Sequence, residues 1–226
     1  MSVYAVDSRG GKSTDSNVVS VNTLADQTPP STPTLSATVL GPSQVLLTWS
    51  RSTDNLPLNC CTFAIFNNGE PNTQPVNWMG ESATGVSAVI RRLTPGTEYT
   101  FRVDARDFYQ NTASSNPVTV TTESSTDTVP PAPPTNLHIV VEDNGGGELW
   151  LGWTQTTDNV DPQPFIEYEI YVNGVLSPLG ASAGVSQDFV YASEQCESMF
   201  VVRAVDRSGN VSEPSNALVY RRWVCD

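Results

Sequence analysis

The chain is poor in positive charge. It has 11 Lys and Arg against 24 Asp and Glu, a formal net charge of −13 and an isoelectric point near 4.3. Lys12 is its one lysine. Phosphate binding needs a basic face that releases counterions, so nucleic acid is not expected as a partner. An anionic membrane surface would repel the chain for the same reason. No run of 18 apolar residues exists, so membrane insertion through a transmembrane helix has no candidate. Charged residues reach only 15%, beside 17 Pro and 15 Gly, which disfavours a helical bundle or coiled coil. Glycine has no three-residue period, so collagen is excluded. No basic stretch followed by an apolar one comes after Met1, so no signal peptide is expected here, and the chain reads as part of a longer secreted parent or as one that travels without such a signal.

Groups for catalysis are scarce as well. His138 is the one histidine, which supplies neither a nucleophilic triad nor a multi-histidine zinc site. Gly145-Gly146-Gly147 follows Asp143-Asn144 and reads as a hairpin turn rather than a phosphate loop. Glu167 and Glu169 share a strand face, but a small sandwich offers no deep cleft to raise one carboxyl pKa, so they read as a solvated face. No enzyme activity and no cofactor other than calcium is expected. Four cysteines (Cys60, Cys61, Cys196 and Cys225) suit an oxidising compartment but are too few to be the main source of stability.

What is present is a repeat. Val3-Tyr-Ala-Val-Asp-Ser-Arg-Gly-Gly, Phe101-Arg-Val-Asp-Ala-Arg-Asp-Phe-Tyr-Gln-Asn and Phe200-Val-Val-Arg-Ala-Val-Asp-Arg-Ser-Gly-Asn match, with Asp7, Asp107 and Asp206 in register. Each leads through a Ser/Asn-rich turn to a second apolar run beginning at Asn17, Asn116 and Asn216. In the last two copies Leu47-Thr-Trp matches Leu151-Gly-Trp, Thr53-Asp-Asn matches Thr157-Asp-Asn, and Asn68-Gly69 matches Asn173-Gly174. A period of about 100 residues exceeds solenoid repeats and has the size of a sandwich domain. The expected organisation is a partial segment and linker over 1–28, a domain over 29–126, and a domain with a C-terminal tail over 127–226. Alternation puts Val45, Leu47 and Trp49 on one face, and Leu149, Leu151 and Trp153 on the matching face. Asn-Gly after an apolar strand is a hairpin signal. The fold class is all-β, a tandem of antiparallel sandwiches. Thr28–Pro33 and Val129–Pro134 are proline-rich, semi-rigid spacers with little contact expected across them.

These residues resemble fibronectin type III domains, in the form common in bacterial extracellular proteins and carbohydrate-active enzymes. The features that carry the resemblance are the Pro-Pro start, the Trp on strand B, Thr-Asp-Asn after it, Leu93-Thr-Pro-Gly-Thr-Glu-Tyr99, and the Asp-x-x-Gly-Asn turn after strand F. The resemblance covers nearly the whole chain and implies immunoglobulin-like, seven-stranded sandwiches, the first only partial, holding strands F and G. It implies that Tyr99 makes a tyrosine corner. Ser198 replaces that tyrosine in the last copy. The topology brings the loop before strand F and the end of strand G to one pole, which implies a Cys196–Cys225 disulfide fastening that corner. Cys60 and Cys61 stay open between a vicinal disulfide, two thiols and a bond to another chain.

Several side chains are candidates for binding. Phe108 and Tyr109 replace turn residues in the F–G loop, with Leu56 and Leu58 in the B–C loop at the same pole; packing against the preceding segment is the competing reading. Trp150, Phe66 and Tyr171 point away from their cores and can stack on sugar rings or cover a neighbour. Asp26, Asp54, Asp127, Asp158 and Asp161 gather near the proline-rich joints. They read first as turn caps, with calcium as the alternative. Asn210-Val-Ser212 is a glycosylation sequon.

The sequence thus reads as a non-catalytic extracellular or cell-surface spacer and interaction region of a larger protein, contacting protein or glycan at the surface or matrix. Two alternatives stay open. One is a glycan-binding accessory region of a secreted polysaccharide-degrading enzyme. The other is a subunit of a surface fibre or virion that self-associates by strand complementation through residues 1–23.

Overall fold

The computed structural model describes residues 2–17, 26–55, 61–81, 85–142, 147–193 and 195–222. The first sandwich is built from Leu35–Val39 (β1), Val45–Ser50 (β2), Thr62–Asn67 (β3), Glu70–Pro71 (β4), Val76–Glu81 (β5), Gly85–Ile90 (β6), Glu98–Arg106 (β7), Thr112–Ser114 (β8) and Val118–Thr121 (β9). One sheet has the order β1-β2-β6-β5; the other is β4-β3-β7-β8, with β9 also pairing β7. The second sandwich comprises Thr135–Glu142 (β10), Glu148–Thr154 (β11), Glu167–Val172 (β12), Val175–Ala183 (β13), Gln187–Tyr191 (β14), Glu197–Val205 (β15) and Leu218–Arg221 (β16). Its sheets are β10-β11-β14 and β13-β12-β15-β16.

Alternation decides which side chains enter each core. Val45, Leu47 and Trp49 are buried in the first sandwich, while Leu149, Leu151 and Trp153 are buried in the second. They meet inward residues of the opposing sheet, Ile65, Phe101 and Val103 in one and Tyr168, Phe200 and Val202 in the other. Full burial of each such aliphatic or aromatic side chain contributes about 1.5–3 kcal/mol. The Asn-Gly pairs close the β3–β4 and β12–β13 hairpins, with Asn68 and Asn173 both at φ 51° followed by glycines at 87° and 83°. Two successive left-handed residues match the twist of the flanking strands, and Gly accepts that conformation without a Cβ clash.

The tyrosine corner is present: the Tyr99 hydroxyl accepts a hydrogen bond from the Thr94 amide at 2.9 Å. In the second sandwich the Ser198 hydroxyl accepts from the Ser193 amide, also at 2.9 Å and also five residues back. The shorter side chain thus makes the same hydrogen bond in the second sandwich that the tyrosine makes in the first. Cys61 and Cys196 are both disulfide-bonded. Cys60 and Cys225 lie outside the described residues. The Arg222 amide donates to the Cys196 carbonyl at 3.0 Å, which brings the end of β16 beside the loop before β15.

Residues 2–17 pair as a hairpin. Val6 bridges Lys12, Ser13 donates to the Ala5 carbonyl, and Ser16 donates to the Val3 carbonyl. The Asp7 carboxylate accepts from the Arg9 and Gly11 amides at its turn, each at 2.8 Å. Those two bonds favour the ionised form and hold Asp7 below its ordinary pKa.

Candidate functional site

Three regions gather chemistry: an aspartate triad at the start of each sandwich, a charged contact between the sandwiches, and exposed aromatic side chains.

The triads repeat. Asp26, Asp54 and Asp107 present carboxylate oxygens within 4.8 Å of one another, and so do Asp127, Asp158 and Asp206. Each set joins an aspartate three residues ahead of the prolines, the loop after the second strand, and the turn that defines the repeat. Asp107 and Asp206 are buried and held by their own turns. Each accepts from the amide and the side chain of the asparagine four residues on, Asn111 or Asn210, at 2.8 Å. The same asparagines donate to the Asp26 and Asp127 carbonyls at 3.1 and 3.2 Å, tying turn to linker. Both hydrogens of the Asn210 side-chain nitrogen are thus donated within the fold, so the sequon's nitrogen is engaged.

Asp26 and Asp127 use one oxygen each to cap Thr28 and Val129 and to accept from Asn55 and Asn159. The capping bond from Thr28 pulls the Asp26 pKa down, more than burial raises it. The other oxygens, Asp26 Oδ2 and Asp127 Oδ2, are buried without a hydrogen-bond partner among the described residues, as are Asp54 Oδ1 and Asp158 Oδ1. Burial raises the Asp206 pKa. Its Asn210 bonds oppose the shift, and the charges of Asp127 and Asp158 add to it. Convergent hard oxygens with uncompensated charge are a donor set for a divalent cation such as calcium. Asp161 stands apart from the set, because its Oδ2 accepts from the Arg207 amide at 2.7 Å. The sequence missed Asp107 and Asp206 as members, although both were visible as the register marks of the repeat.

The second region corrects an expectation. Glu169 is fully buried rather than solvated, and Glu167 is largely covered. They belong to the second sandwich but face Arg91 and Arg92, which follow β6 of the first. Arg91 pairs with Glu167 and lies 3.5 Å from Glu169, and Arg92 pairs with Glu169. The Tyr171 hydroxyl accepts from Arg92 at 2.6 Å and donates to Glu169 at 3.0 Å. Burial lowers the Arg91 pKa, and Glu169 opposes that shift. Burial acts the same way on Arg92, but Glu169 and Tyr171 outweigh it and the net shift is upward. Tyr171 is raised by burial and then by the Glu169 charge. A second station lies nearby, where the Ser43 hydroxyl donates to the Arg207 carbonyl at 2.9 Å and Ser125 meets Ser208 at 2.7 Å. The proline-rich joint is therefore backed by direct contact, not spaced by proline alone.

The aromatic candidates separate. Tyr171 belongs to the charged contact, and Phe66 lies under the Arg102 guanidinium at 4.2 Å. Phe108 and Tyr109 are exposed, 87% and 47%, and meet edge to face at 5.7 Å. Leu56 and Leu58 lie outside the described residues. Trp150 is 42% exposed and heads a row the sequence only half revealed, since Phe189 and Tyr191 join it.

The two-sheet topology and the tyrosine corner are those of tandem fibronectin type III modules. No protein-family profile matches the chain. Among curated proteins the chain is 34% identical over 203 residues to chitinase A1 of Niallia circulans, covering 85% of this chain and 26% of that protein. It is 29% identical over 199 residues to exoglucanase B of Cellulomonas fimi, covering 87% of this chain and 17% of that protein. The chain thus spans about a quarter or less of these relatives. Similar solved structures include the FN1–FN3 domains of chicken CNTN1, at 21% identity and a TM-score of 0.33, covering 85% of this chain and 66% of that one. The fibronectin(III)-like modules of Clostridium thermocellum CbhA give 14% identity and a TM-score of 0.30, covering 84% and 93%. The chain is thus built of fibronectin type III-like sandwiches and is similar to part of a chitinase and part of an exoglucanase.

Proposed function

We propose that the chain is an extracellular accessory region of a polysaccharide-degrading enzyme, acting as a stiff spacer that fixes the distance and orientation of the parts it joins. The observation that carries this reading is the buried Arg91–Glu169 contact between modules. Two modules linked only by a flexible joint would sample many angles. A buried, hydrogen-bonded ion cluster across the joint selects one, and breaking it by removing one partner costs about 3–5 kcal/mol. The relatives, a chitinase and an exoglucanase by name, support the polysaccharide-degrading context. Neither supports a fibre or virion subunit. Small-angle scattering tests the reading: the chain should give one narrow distribution of intramolecular distances, and Glu169→Ala should broaden it. A broad distribution for the unaltered chain would remove the spacer role.

The aspartate triads extend the same reading. Calcium at each would join linker, loop and turn by one ion and stiffen the start of every module. The buried, unpartnered oxygens of Asp26, Asp54, Asp127 and Asp158 support it. Millimolar calcium should raise the melting temperature by several degrees, and Asp107→Asn with Asp206→Asn should abolish the rise. Identical melting in calcium and EDTA would leave these aspartates as turn caps.

A further inference from the structure

We infer that the outer face of the β10-β11-β14 sheet is a contact surface for an uncharged polysaccharide chain. This rests on the accessory-region reading above and names the surface and ligand class it would use.

The face is organised by register. Trp150 on β11 lies directly between Val141 on β10 and Phe189 on β14. The indole and the Phe189 ring are 6.0 Å apart, and Phe189 meets Tyr191 edge to face at 4.8 Å. Phe189 therefore props the indole from one side and the phenol from the other. Val141 and Tyr191 are exposed, 55% and 52%. Beyond Trp150 on the same strand stands Gly152, where a Cβ would lie 2.6 Å from Val140 Cγ2 and 3.0 Å from the His138 ring. The missing side chain lets His138 and Val140 lie flat across the strand, and Asn136 O holds the imidazole Nδ1 at 2.8 Å. The result is a shelf of imidazole, aliphatic and aromatic surface spanning all three strands.

The fold does not require this shelf. The first module has matching strands β1, β2 and β6, with β5 added at the edge, and its motif aligns Leu46 with Trp150, Thr48 with Gly152, and the Leu46–Val89 pair with Trp150–Phe189. That face carries Ser36, Thr48 and Ser87 beside the exposed Met79 of β5, with Ser36 and Thr48 hydrogen-bonded at 2.6 Å. An exposed tryptophan where the sister module folds with leucine points to a ligand.

Charge selects the ligand class. The chain carries −13 overall, so an acidic partner would be repelled. The row Val141–Trp150–Phe189 has no ionisable side chain, and Glu148 is the charged residue at its end, opposite Tyr191. A basic peptide would find few carboxylates to pair with on this face. A neutral pyranose polymer fits better, because its C–H faces pack on aromatic rings while its hydroxyls stay hydrated or meet the Tyr191 hydroxyl and the His138 ring.

The test uses the full chain with microcrystalline cellulose and with chitin, measuring the bound fraction at low and high salt. Adsorption to either polymer should be nearly insensitive to salt. It should fall about tenfold in Trp150→Ala, the loss that about 1.4 kcal/mol of contact gives, and fall likewise in Tyr191→Ser. Leu46→Ala in the first module should leave it unchanged. Unaltered thermal melting of Trp150→Ala and Tyr191→Ser shows that the fold is retained; should Trp150→Ala melt early, Tyr191→Ser decides alone. No adsorption by the unaltered chain, or equal adsorption by the variants, overturns the inference, as does self-association that Trp150→Ala abolishes. None of these outcomes touches the scattering result on which the spacer reading depends, so the two can fail separately.

Discussion

At the scale of single residues, the two modules solve one problem with different side chains. Tyr99 and Ser198 both accept a hydrogen bond from the amide five residues back. Tyr99→Phe keeps the ring in the core and removes only the acceptor. That should cost about 1 kcal/mol in urea denaturation. Ser198→Ala should cost a similar amount, because Ser198 also meets the Ser193 hydroxyl at 2.9 Å. No change in either variant would mean that the corner is held by packing alone. The tyrosine's role was legible through a family pattern; the serine's was not, because a short polar residue in a loop carries no signal until the loop's path is known. The outward direction of Trp150 followed from strand alternation. Its partner Phe189 was not seen, because register across strands cannot be counted along one strand.

At the scale of elements, each module ties its first strand to the opposite sheet by one asparagine. The Leu35 amide donates to Asn116, whose side chain donates back to the Leu35 carbonyl. Leu137 and Asn216 repeat this at 2.8 and 3.1 Å. Leu137 is buried, and β10 shifts register between Thr135 and His138, so these backbone groups depend on the side chain. Asn216→Ala would leave two such groups unmatched and should cost the second module about 2 kcal/mol. Faster amide exchange at Leu137 in the variant would locate the loss; unchanged exchange there would contradict it. The sequence showed Asn17, Asn116 and Asn216 as repeat marks without showing why they recur. For Asn116 and Asn216 the reason lies in contacts about 80 residues apart, between strands that alternation alone cannot pair.

At the scale of the whole molecule, the contact between modules dominates. Arg91, Arg92, Glu167, Glu169 and Tyr171 form one hydrogen-bonded cluster across the joint. Arg91 and Glu169 are 2% and 0% exposed, so salt screens them far less than a surface pair. Arg92 sits in the cluster with φ at 56°, a left-handed conformation that an arginine adopts only where its surroundings hold it. Proline stiffening and the charged contact act together, one limiting the linker and the other choosing an angle.

The sequence by itself determined the all-β fold, the length of the repeat, the inward phase of the strands and the Asn-Gly hairpins. These are local or periodic, written in spacing two and in residues that tolerate positive φ. Only the tertiary structure decided that Glu169 is buried, that Asp107 and Asp206 complete the triads, and that Trp150 stands in a row of aromatics. Each depends on side chains distant along the chain meeting in space. Alternation says which face a residue takes, but the packing of one body on another decides whether that face meets water, charge or a ring.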